Sequence, residues 1–340
     1  MYSELITTFK HHRTAGMLAC RYSRPVAFVG IGHHSLTNLY PVIEHLRVPL
    51  RYICLHSTRL APLVEQRFPG VRVVQSLDPV LSDPEVEAVF VATPPRAQYS
   101  LACQVLQSGK ALFIEKPPCR TLDELDHLAT LPSQRVQVGL QKRYAPAVQT
   151  LVRHLRHQRL EHYTLRYCTG AYPEGNALTD LFIHPLDLVV FLFGSAQVAS
   201  VVRSGQGTLL VHLLHESVAG ALELSTDYSW QRPMEELTVV GRQGVYHLQG
   251  TERLTCTPIP PSLVGVPVEK VFRRHASEWT LYRRETFSPI PEASTLLSEG
   301  FYGEVKAFMD AVEEGKEWSR LTGLASVRPA YELMQQIDSW

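Results

Sequence analysis

The chain has 340 residues, which is enough for two domains of ordinary size. It is 45% hydrophobic and 19% charged, as is usual for a soluble globular protein, and its 33 basic and 33 acidic residues cancel to a formal net charge of zero. This balance argues against nucleic acid or an anionic membrane as the main partner, and no stretch approaches the ~20 apolar residues of a membrane span.

The first 24 residues are predicted to form an N-terminal arm, because the first clear strand begins only at Pro25. They lack the continuous apolar core of a signal peptide. The six cysteines lie apart and form no CxxC pair, which is typical of reduced thiols in a cytosolic protein. We therefore expect a cytoplasmic location.

Residues 25–141 alternate between short apolar runs and segments with helical spacing. The apolar runs predict strands at 25–30, 50–56, 71–74, 87–93, 111–115 and 135–140. The other segments predict helices at 35–46, 59–68, 97–109 and 121–131. Thr121 and Glu124 fit a capping box at the start of the last helix. The alternation predicts parallel βαβ units, and strands that are apolar throughout predict a doubly wound sheet covered on both faces.

The first predicted strand ends in GIGHHS, and ligands of such sheets bind at the carboxyl ends of the strands. Gly30 and Gly32 fit the first two glycines of the dinucleotide fingerprint G-x-G-x-x-G/A, which make a tight turn and let a pyrophosphate approach the helix N-terminus. Ser35 replaces the third glycine and is small enough for close packing of helix on strand. We predict a dinucleotide-binding Rossmann domain over residues 25–141, against the alternative of a plain structural turn.

The second predicted strand ends in LHSTRL, without the acid that binds the ribose of NAD. Ser57 and Thr58 can donate hydrogen bonds at this end, and Arg59 can pair with a 2′-phosphate. These residues favour NADP as the cofactor, with NAD as the alternative. In the other interpretation, Arg59 is a solvated residue in the first turn of the next helix.

Residues 142–340 differ in character, because strands follow one another with short links. Strands are predicted at 162–167, 196–204, 207–214, 217–225 and 235–241. Strands with little helix between them predict an α/β domain built on a largely antiparallel, open sheet. The segment TLLVHLL is apolar on both faces, so either a helix or another subunit is expected to cover its second face.

Asp180 and His184 are four residues apart in DLFIHPLD, and one helical turn would place both on one face. Because a proline disfavours helix at the residue before it, His184 is expected at a helix boundary, with Pro185 as the first helical residue and Asp187 in the first turn. A neutral His184 could act as general base on a hydroxyl, with Asp180 orienting its ring. The alternative is a cap-like histidine beside a local acid.

Several motifs together resemble those of the Gfo/Idh/MocA oxidoreductases, the family of glucose-fructose oxidoreductase, inositol dehydrogenase and rhizopine catabolism. The degraded glycine turn, the strand end VATPP and the E-K-P of ALFIEKPP follow one another in the order of the family. The resemblance continues through the segments 138–147 and 175–194, the strand pair 235–248, and the closing helices 299–316 and 322–337. It thus covers almost the whole chain.

This resemblance implies a Rossmann domain at 25–141 and a substrate and oligomerisation domain at 142–340. It implies an NAD(P)-dependent oxidoreductase that transfers a hydride between nicotinamide and the C–OH or C=O carbon of a sugar, cyclitol or related small metabolite. The alternatives are an imine or tetrapyrrole reductase on the same fold and a non-catalytic, NADP-sensing regulatory protein. The resemblance also implies a homodimer or homotetramer that is joined through the open face of the second sheet.

The matched motifs imply the residues of the site. In the family, the lysine of E-K-P projects toward nicotinamide and substrate, and Lys116 matches it. The expected catalytic residues are Lys116, His184 and Asp180. The expected cofactor contacts are Gly30, Gly32, Ser35, Ser57, Thr58, Arg59, Thr93, Pro94, Glu115 and Lys116. The sequence shows no convincing metal constellation, and hydride transfer to nicotinamide needs no metal.

Overall fold

The structure is a computed structural model of the chain. It describes residues 2–18, 20–156, 158–260, 262–264, 266–271, 277–285, 294–316, 318 and 322–340. Within these residues the chain forms two large sheets, each covered by helices on at least one face.

Six parallel strands form the first sheet. They are β1 Val26–Val29, β2 Leu50–Cys54, β3 Arg72–Val74, β4 Ala88–Val91, β5 Ala111–Glu115 and β6 Val136–Gly139, and their order is β3-β2-β1-β4-β5-β6. Every residue of β1, β4, β5 and β6 is buried, which confirms the prediction of a sheet covered on both faces. The order reverses between β1 and β4, so the carboxyl ends of these strands open the crevice in which such sheets bind ligands.

Helices alternate with these strands as predicted. They are α1 Tyr2–Leu18, α2 Tyr40–His45, α3 Ala61–Arg67, α4 Asp78–Ser82, α5 Pro95–Gln107 and α6 Leu122–Ala129. A π-helical turn at Ser35–Leu39 leads into α2, and a 3-10 turn at Thr58–Leu60 leads into α3. The short α4 has no counterpart among the predicted helices. The predicted N-terminal arm contains α1, in which residues 4–15 are exposed.

The second sheet has eight strands. They are β7 Leu160–Cys168, β8 Ala196–Ser204, β9 Thr208–His215, β10 Ala219–Ser225, β11 Met234–Gly241, β12 Gly244–Gln249, β13 Arg253–Pro258 and β16 Trp279–Arg283. Two further strands, β14 Ser262–Leu263 and β15 Val266–Pro267, form a separate ribbon. The order of the large sheet is β16-β13-β12-β11-β7-β10-β9-β8. Only the β7–β10 pair is parallel among the described pairs, so the predicted, largely antiparallel sheet is confirmed.

The second half of the chain also contains helices. They are α7 Pro146–Leu155, α8 Ala177–Asp180, α9 Ile183–Phe193, α10 Val268–Val271, α11 Thr295–Ser298, α12 Phe301–Glu314 and α13 Leu324–Ser339. Although α12 lies late in the chain, it packs on the first sheet, where the ring of Phe308 lies edge-on to Phe90 and Phe113. The domain boundary between residues 141 and 142 stays a prediction, and extensive packing crosses it. No helix within the described ranges combines the length and apolar character that a membrane crossing requires.

One face of the second sheet stays open at β8 and β9. Along β9, Leu209, Val211 and Leu213 are buried, whereas Leu210 and Leu214 are exposed. The buried set packs in the core shared with α9 and α13. The apolar residues on both faces of TLLVHLL therefore have different surroundings, because a helical layer covers only one of the two faces.

Candidate active site

A cavity of about 1480 Å³ lies at the carboxyl ends of β1, β2, β4 and β5. Its walls come from both halves of the chain, with the glycine turn and Lys116 on one side and Tyr172 and His184 on the other. Pockets for a single small ligand usually measure about 300–1000 Å³. The volume is therefore sufficient for a dinucleotide together with a small substrate.

The glycine turn at the end of β1 depends on Gly30. Its φ of +102° lies in the region that favours glycine, and a Cβ at this position would overlap the carbonyl oxygen of Ala92. The Gly30 amide donates to the carbonyl of Cys54 at 3.0 Å, and its own carbonyl accepts from the Tyr40 hydroxyl at 3.0 Å. The turn is thus held from both sides by the adjacent strands and α2.

Gly32 and Ser35 complete this turn in different ways. A Cβ on Gly32 would meet no atom within 4 Å, so its backbone faces open space in the cavity wall. The Ser35 hydroxyl is buried, accepts from the Gly32 amide at 3.0 Å and lies 3.1 Å from the Gly32 carbonyl as donor. Ser35 therefore closes the turn by a hydrogen bond as well as by its small size.

The residues present fit a dinucleotide. The exposed backbone of Gly32 leaves room for a diphosphate at the N-terminus of the helical segment that begins at Ser35. The Thr93 hydroxyl is buried in the wall of the same cavity and has no hydrogen-bond partner within the described part of the chain. Pro94 also lines the cavity. These are the features expected of a site whose polar groups are completed by a ligand.

The end of β2 meets the cavity through Ser57 but not through Arg59. Ser57 lines the wall, and its hydroxyl accepts from the Arg59 amide at 3.3 Å. The Arg59 side chain is exposed just outside the wall and forms no ion pair with any residue that the structure describes. The side chain of Thr58 is outside the described set.

Lys116 follows β5 and reaches the second half of the chain. Its Nζ donates to the backbone carbonyl of Asp180 at 2.7 Å, and the Lys116–Pro117 peptide bond is cis. Withdrawal from water lowers the pKa of Lys116, and the nearby Glu115 and Asp180 only partly oppose this shift. One of its three N–H donors is satisfied by the carbonyl, which leaves donors for a ligand.

His184 faces the same cavity from α9. Its Nδ1 is buried without a partner among the described residues. The pKa of His184 lies well below its ordinary value, mainly because the ring is withdrawn from water. The positive charges of Lys116 and Lys142 lower this pKa further. The ring is therefore neutral at neutral pH, as a general base requires.

The predicted start of this helix is wrong by two residues. The helix α9 begins at Ile183, so His184 and Pro185 both lie within its first turn, and Asp187 lies beyond that turn. Pro185 is tolerated because the first four amides of a helix have no intrahelical acceptor. Asp187 is instead buried in a two-bond ion pair with Arg143, at 2.8 and 2.5 Å.

The carboxylate of Asp180 lies toward the loop before α8. It accepts from the Asn176 amide at 3.1 Å, from the Thr179 hydroxyl at 3.0 Å and from the Tyr172 hydroxyl at 3.4 Å. No hydrogen bond joins it to His184 in the described structure. Asp180 thus meets the site through its carbonyl group, which holds Lys116.

A contact that the sequence did not indicate joins His34 to Glu115. His34 Nε2 lies 3.1 Å from Glu115 Oε1, and thus connects the glycine turn to the E-K-P strand. Withdrawal from water acts to lower the pKa of His34, but the hydrogen bond and charge of Glu115 outweigh it, so the pKa is raised. The His34 ring is half exposed. The sequence signal for this contact was that His34 follows β1 and Glu115 ends β5, and both strands belong to one parallel sheet.

The chain is similar to known oxidoreductases. Residues 24–141 match the family model GFO_IDH_MocA, described as an oxidoreductase family with an NAD-binding Rossmann fold. Galactose 1-dehydrogenase of Pseudomonas fluorescens is 46% identical over 55 residues, which are 16% of this chain and 18% of that protein. The NADP(+)-dependent scyllo-inositol 2-dehydrogenase IolW of Bacillus subtilis strain 168 is 27% identical over 171 residues, 45% of this chain and 48% of that protein.

The matched segments thus span less than half the length of these two relatives. Over nearly the whole chain, the similarity is one of fold. The crystal structure of a dehydrogenase from Chromobacterium violaceum superposes with a TM-score of 0.77 at 21% identity and covers 93% of this chain and 94% of that one. The predicted fold class, a parallel Rossmann-like sheet followed by a largely antiparallel sheet, is confirmed.

Alanine at the two glycines of the turn is expected to change different properties: the stability of the fold at Gly30 and the affinity for the cofactor at Gly32. Gly30→Ala forces a side chain into a positive φ and against Ala92, so it lowers the free energy of unfolding by about 1–3 kcal/mol. Gly32→Ala meets open space, so it changes this free energy by less than about 0.5 kcal/mol. Its methyl group nevertheless occupies the position of close backbone approach and weakens NAD(P)H binding by about tenfold or more. Urea unfolding and NAD(P)H fluorescence titration measure the two quantities, and unchanged binding by Gly32→Ala contradicts the assignment.

Proposed function

We propose that the chain is a Gfo/Idh/MocA oxidoreductase, because residues 24–141 match that family's NAD-binding Rossmann model, and that it acts as an NAD(P)-dependent dehydrogenase. Its substrate is a sugar, cyclitol or related small metabolite with a C–OH or C=O carbon at the reacting position. One observation carries this proposal: Lys116 and His184, from different halves of the chain, line the same cavity as the glycine turn.

The side chains have complementary tasks in this reaction. A bound nicotinamide supplies the hydride chemistry. The neutral His184 takes the proton of the substrate hydroxyl in oxidation and returns it in reduction. Lys116 donates a hydrogen bond to the same oxygen and stabilises its developing negative charge. Asp180 acts as a positioning residue, because its carbonyl group holds the Lys116 ammonium at 2.7 Å.

The electrostatics support this division of tasks. A base must be neutral and a donor to an oxyanion must be charged at the same pH. The positive charge of Lys116 helps to lower the pKa of His184, so the charged state of one residue favours the neutral state of the other. A non-catalytic cofactor sensor does not need this pairing.

We also propose NADP as the preferred cofactor. The end of β2 carries Ser57 in the cavity wall and no carboxylate. Arg59 stands just beyond it with an unpaired guanidinium, within the described structure, and is available to a 2′-phosphate. NAD is the alternative.

NADPH is expected to bind more tightly than NADH, and Arg59→Ala is expected to weaken NADPH alone. The loss of a charge-assisted contact, about 1.5–3 kcal/mol, corresponds to roughly ten- to hundredfold in the dissociation constant. Arg67→Ala is the matched control, because Arg67 is also exposed but is paired with Glu44. Fluorescence titration measures both cofactors. The proposed preference for NADP is wrong if the unmutated protein binds NADH as tightly as NADPH or more tightly.

We further propose that the protein is a homodimer or homotetramer joined through the open face of the second sheet. Leu210, Leu214 and Val202 are exposed there, and Val202 lies opposite Leu210 on the neighbouring strands β8 and β9. Exposed apolar groups of this kind commonly mark contact surfaces.

Light scattering at micromolar concentration is expected to give at least twice the mass of the chain. The double variant Leu210→Glu with Leu214→Glu is expected to shift the mass to that of the monomer, since it buries charges in the contact. Leu63→Glu, at an exposed leucine of α3, is the control that leaves the mass unchanged. A monomeric unmutated protein rules the proposal out.

Lys116→Ala and His184→Ala are each expected to leave NADPH bound but to cut turnover, by on the order of 10²–10⁴-fold for His184. Asp180→Asn is expected to cost less, because the carbonyl that holds Lys116 is retained. The double variant Lys116→Ala with His184→Ala is expected to lose less turnover than the two single losses combined, since the effects of residues that act as a unit are non-additive. The substrate for this assay comes from a screen of polyols, keto-sugars and cyclic imines with NADPH and NADP.

Lys306→Ala and His212→Ala serve as controls, because Lys306 pairs with Asp310 on α12 and His212 with Ser200 on the second sheet. Near-full turnover by His184→Ala removes the catalytic assignment. If no substrate is found, but a metabolite changes NADPH affinity and binding of a protein partner, the regulatory function replaces the enzymatic one.

The pH dependence follows from the two shifted pKa values. Oxidation needs neutral His184 and protonated Lys116, so kcat/KM stays level through neutral pH and falls on the alkaline side earlier than for a free lysine. Because Lys116 lowers the pKa of His184, Lys116→Met is expected to raise it. An NMR titration of the His184 ring, assigned with His184→Ala, measures that change independently of turnover.

A further inference from the structure

Trp230 combines a fixed position with an exposed ring. Its Nε1 donates to the carbonyl of Ala171 at 2.8 Å, yet 54% of the residue is exposed. The neighbouring Gly170 has no room for a Cβ, because that atom would overlap the Trp230 ring. The indole is thus packed tightly at one edge and uncovered over much of its surface, in the wall of the cavity that holds Lys116 and His184.

The two loops that carry this wall are joined to each other. Beyond the last β7–β10 pair, the Thr169 amide donates to the Ser225 carbonyl at 2.8 Å, and the Tyr228 amide donates to the Thr169 carbonyl at 2.9 Å. The Trp230–Ala171 hydrogen bond continues the series along the same two segments. The indole is therefore preorganised, and little conformational entropy is lost when a ligand packs on it.

Tyr172 is a second aromatic residue of this cavity wall. It lines the same cavity, and its hydroxyl donates to Asp180 Oδ2 at 3.4 Å. The carbonyl of Asp180 in turn holds Lys116 Nζ. A ligand that contacts Tyr172 and Trp230 is thus placed relative to the lysine by a continuous set of contacts.

We propose that Trp230 and Tyr172 form an aromatic platform that binds the substrate in its ring form, so that the enzyme selects cyclic over open-chain polyols. The inference rests on the proposed function and specifies its substrate. A pyranose or cyclitol ring presents one face of C–H bonds, which packs on an aromatic surface, while its hydroxyls extend sideways to polar groups. An open-chain polyol has no such face. The platform also determines which ring carbon reaches Lys116 and His184.

The test compares Trp230→Ala and Trp230→Phe with Trp279→Ala. Trp279 is the matched control, because it is 57% exposed on β16 and lies outside the cavity. Dissociation constants are measured by calorimetry on the NADP-loaded proteins with methyl pyranosides, inositols and the corresponding alditols. KM and kcat are measured for every member of this set that is oxidised. Melting temperatures verify the fold, and Trp230→Phe keeps the test usable if the alanine variant does not fold.

The expected result is that rings bind more tightly than alditols and that Trp230→Ala raises Kd and KM for rings by on the order of tenfold, with a much smaller change in kcat. Trp230→Phe is expected to give Kd and KM values between those of the unmutated protein and Trp230→Ala. Trp279→Ala is expected to give the values of the unmutated protein. Three results overturn the inference: Trp230→Ala behaves like Trp279→Ala, alditols bind as tightly as rings, or no ring compound binds.

The two proposals fail in different ways. If a polyol is oxidised and its kinetic constants do not change in the Trp230 variants, the proposed dehydrogenase activity is supported and the proposed aromatic platform is wrong. If ring compounds bind in a way that depends on Trp230 but no member of the set is oxidised, the aromatic platform is supported and the proposed dehydrogenase activity is wrong.

Discussion

The hydrogen bond from Lys116 Nζ to the carbonyl of Asp180 is the contact on which the whole candidate site depends. It joins the end of β5 to the end of α8 across 64 positions of the chain, at 2.7 Å. An ammonium group withdrawn from water is costly unless it has polar partners. The Asp180 carbonyl is such a polar partner. It leaves the positive charge of the ammonium in place, whereas a carboxylate would neutralise it. The lysine can therefore stay charged and still offer hydrogen bonds to a substrate oxygen.

A second buried contact holds the other half of the site. Arg143 donates two hydrogen bonds to Asp187 and a third, of 2.9 Å, to the carbonyl of Ser326 on α13. Asp187 is three residues beyond His184, so the two lie on neighbouring positions of α9. Removing one partner of such a pair leaves a buried charge, at a cost of about 3–5 kcal/mol. The pair thus favours one orientation of α9 and, with it, one position of His184.

These contacts also explain why the two reacting groups differ in charge. Withdrawal from water lowers the pKa of both Lys116 and His184. For Lys116 the adjacent carboxylate of Glu115 partly opposes this shift, whereas for His184 the nearby lysines reinforce it. One cavity therefore contains a charged donor and a neutral base, which is the usual way in which environment separates the roles of titratable groups.

The sequence by itself determined the features that depend on neighbours along the chain. Strand and helix alternation predicted the parallel sheet, and Gly30 predicted the tight turn. The Thr121 half of the capping box is confirmed, since its hydroxyl accepts from the Glu124 amide, whereas the Glu124 carboxylate accepts from the Arg120 amide instead of the Thr121 amide. Only the tertiary structure decided which groups meet: that Asp180 offers its carbonyl, that Asp187 pairs with Arg143, and that Trp230 stands in the cavity wall. The physical reason is that periodicity and turn chemistry act over a few residues. A hydrogen-bond partner, in contrast, is chosen by distances between atoms that only the packed fold brings together.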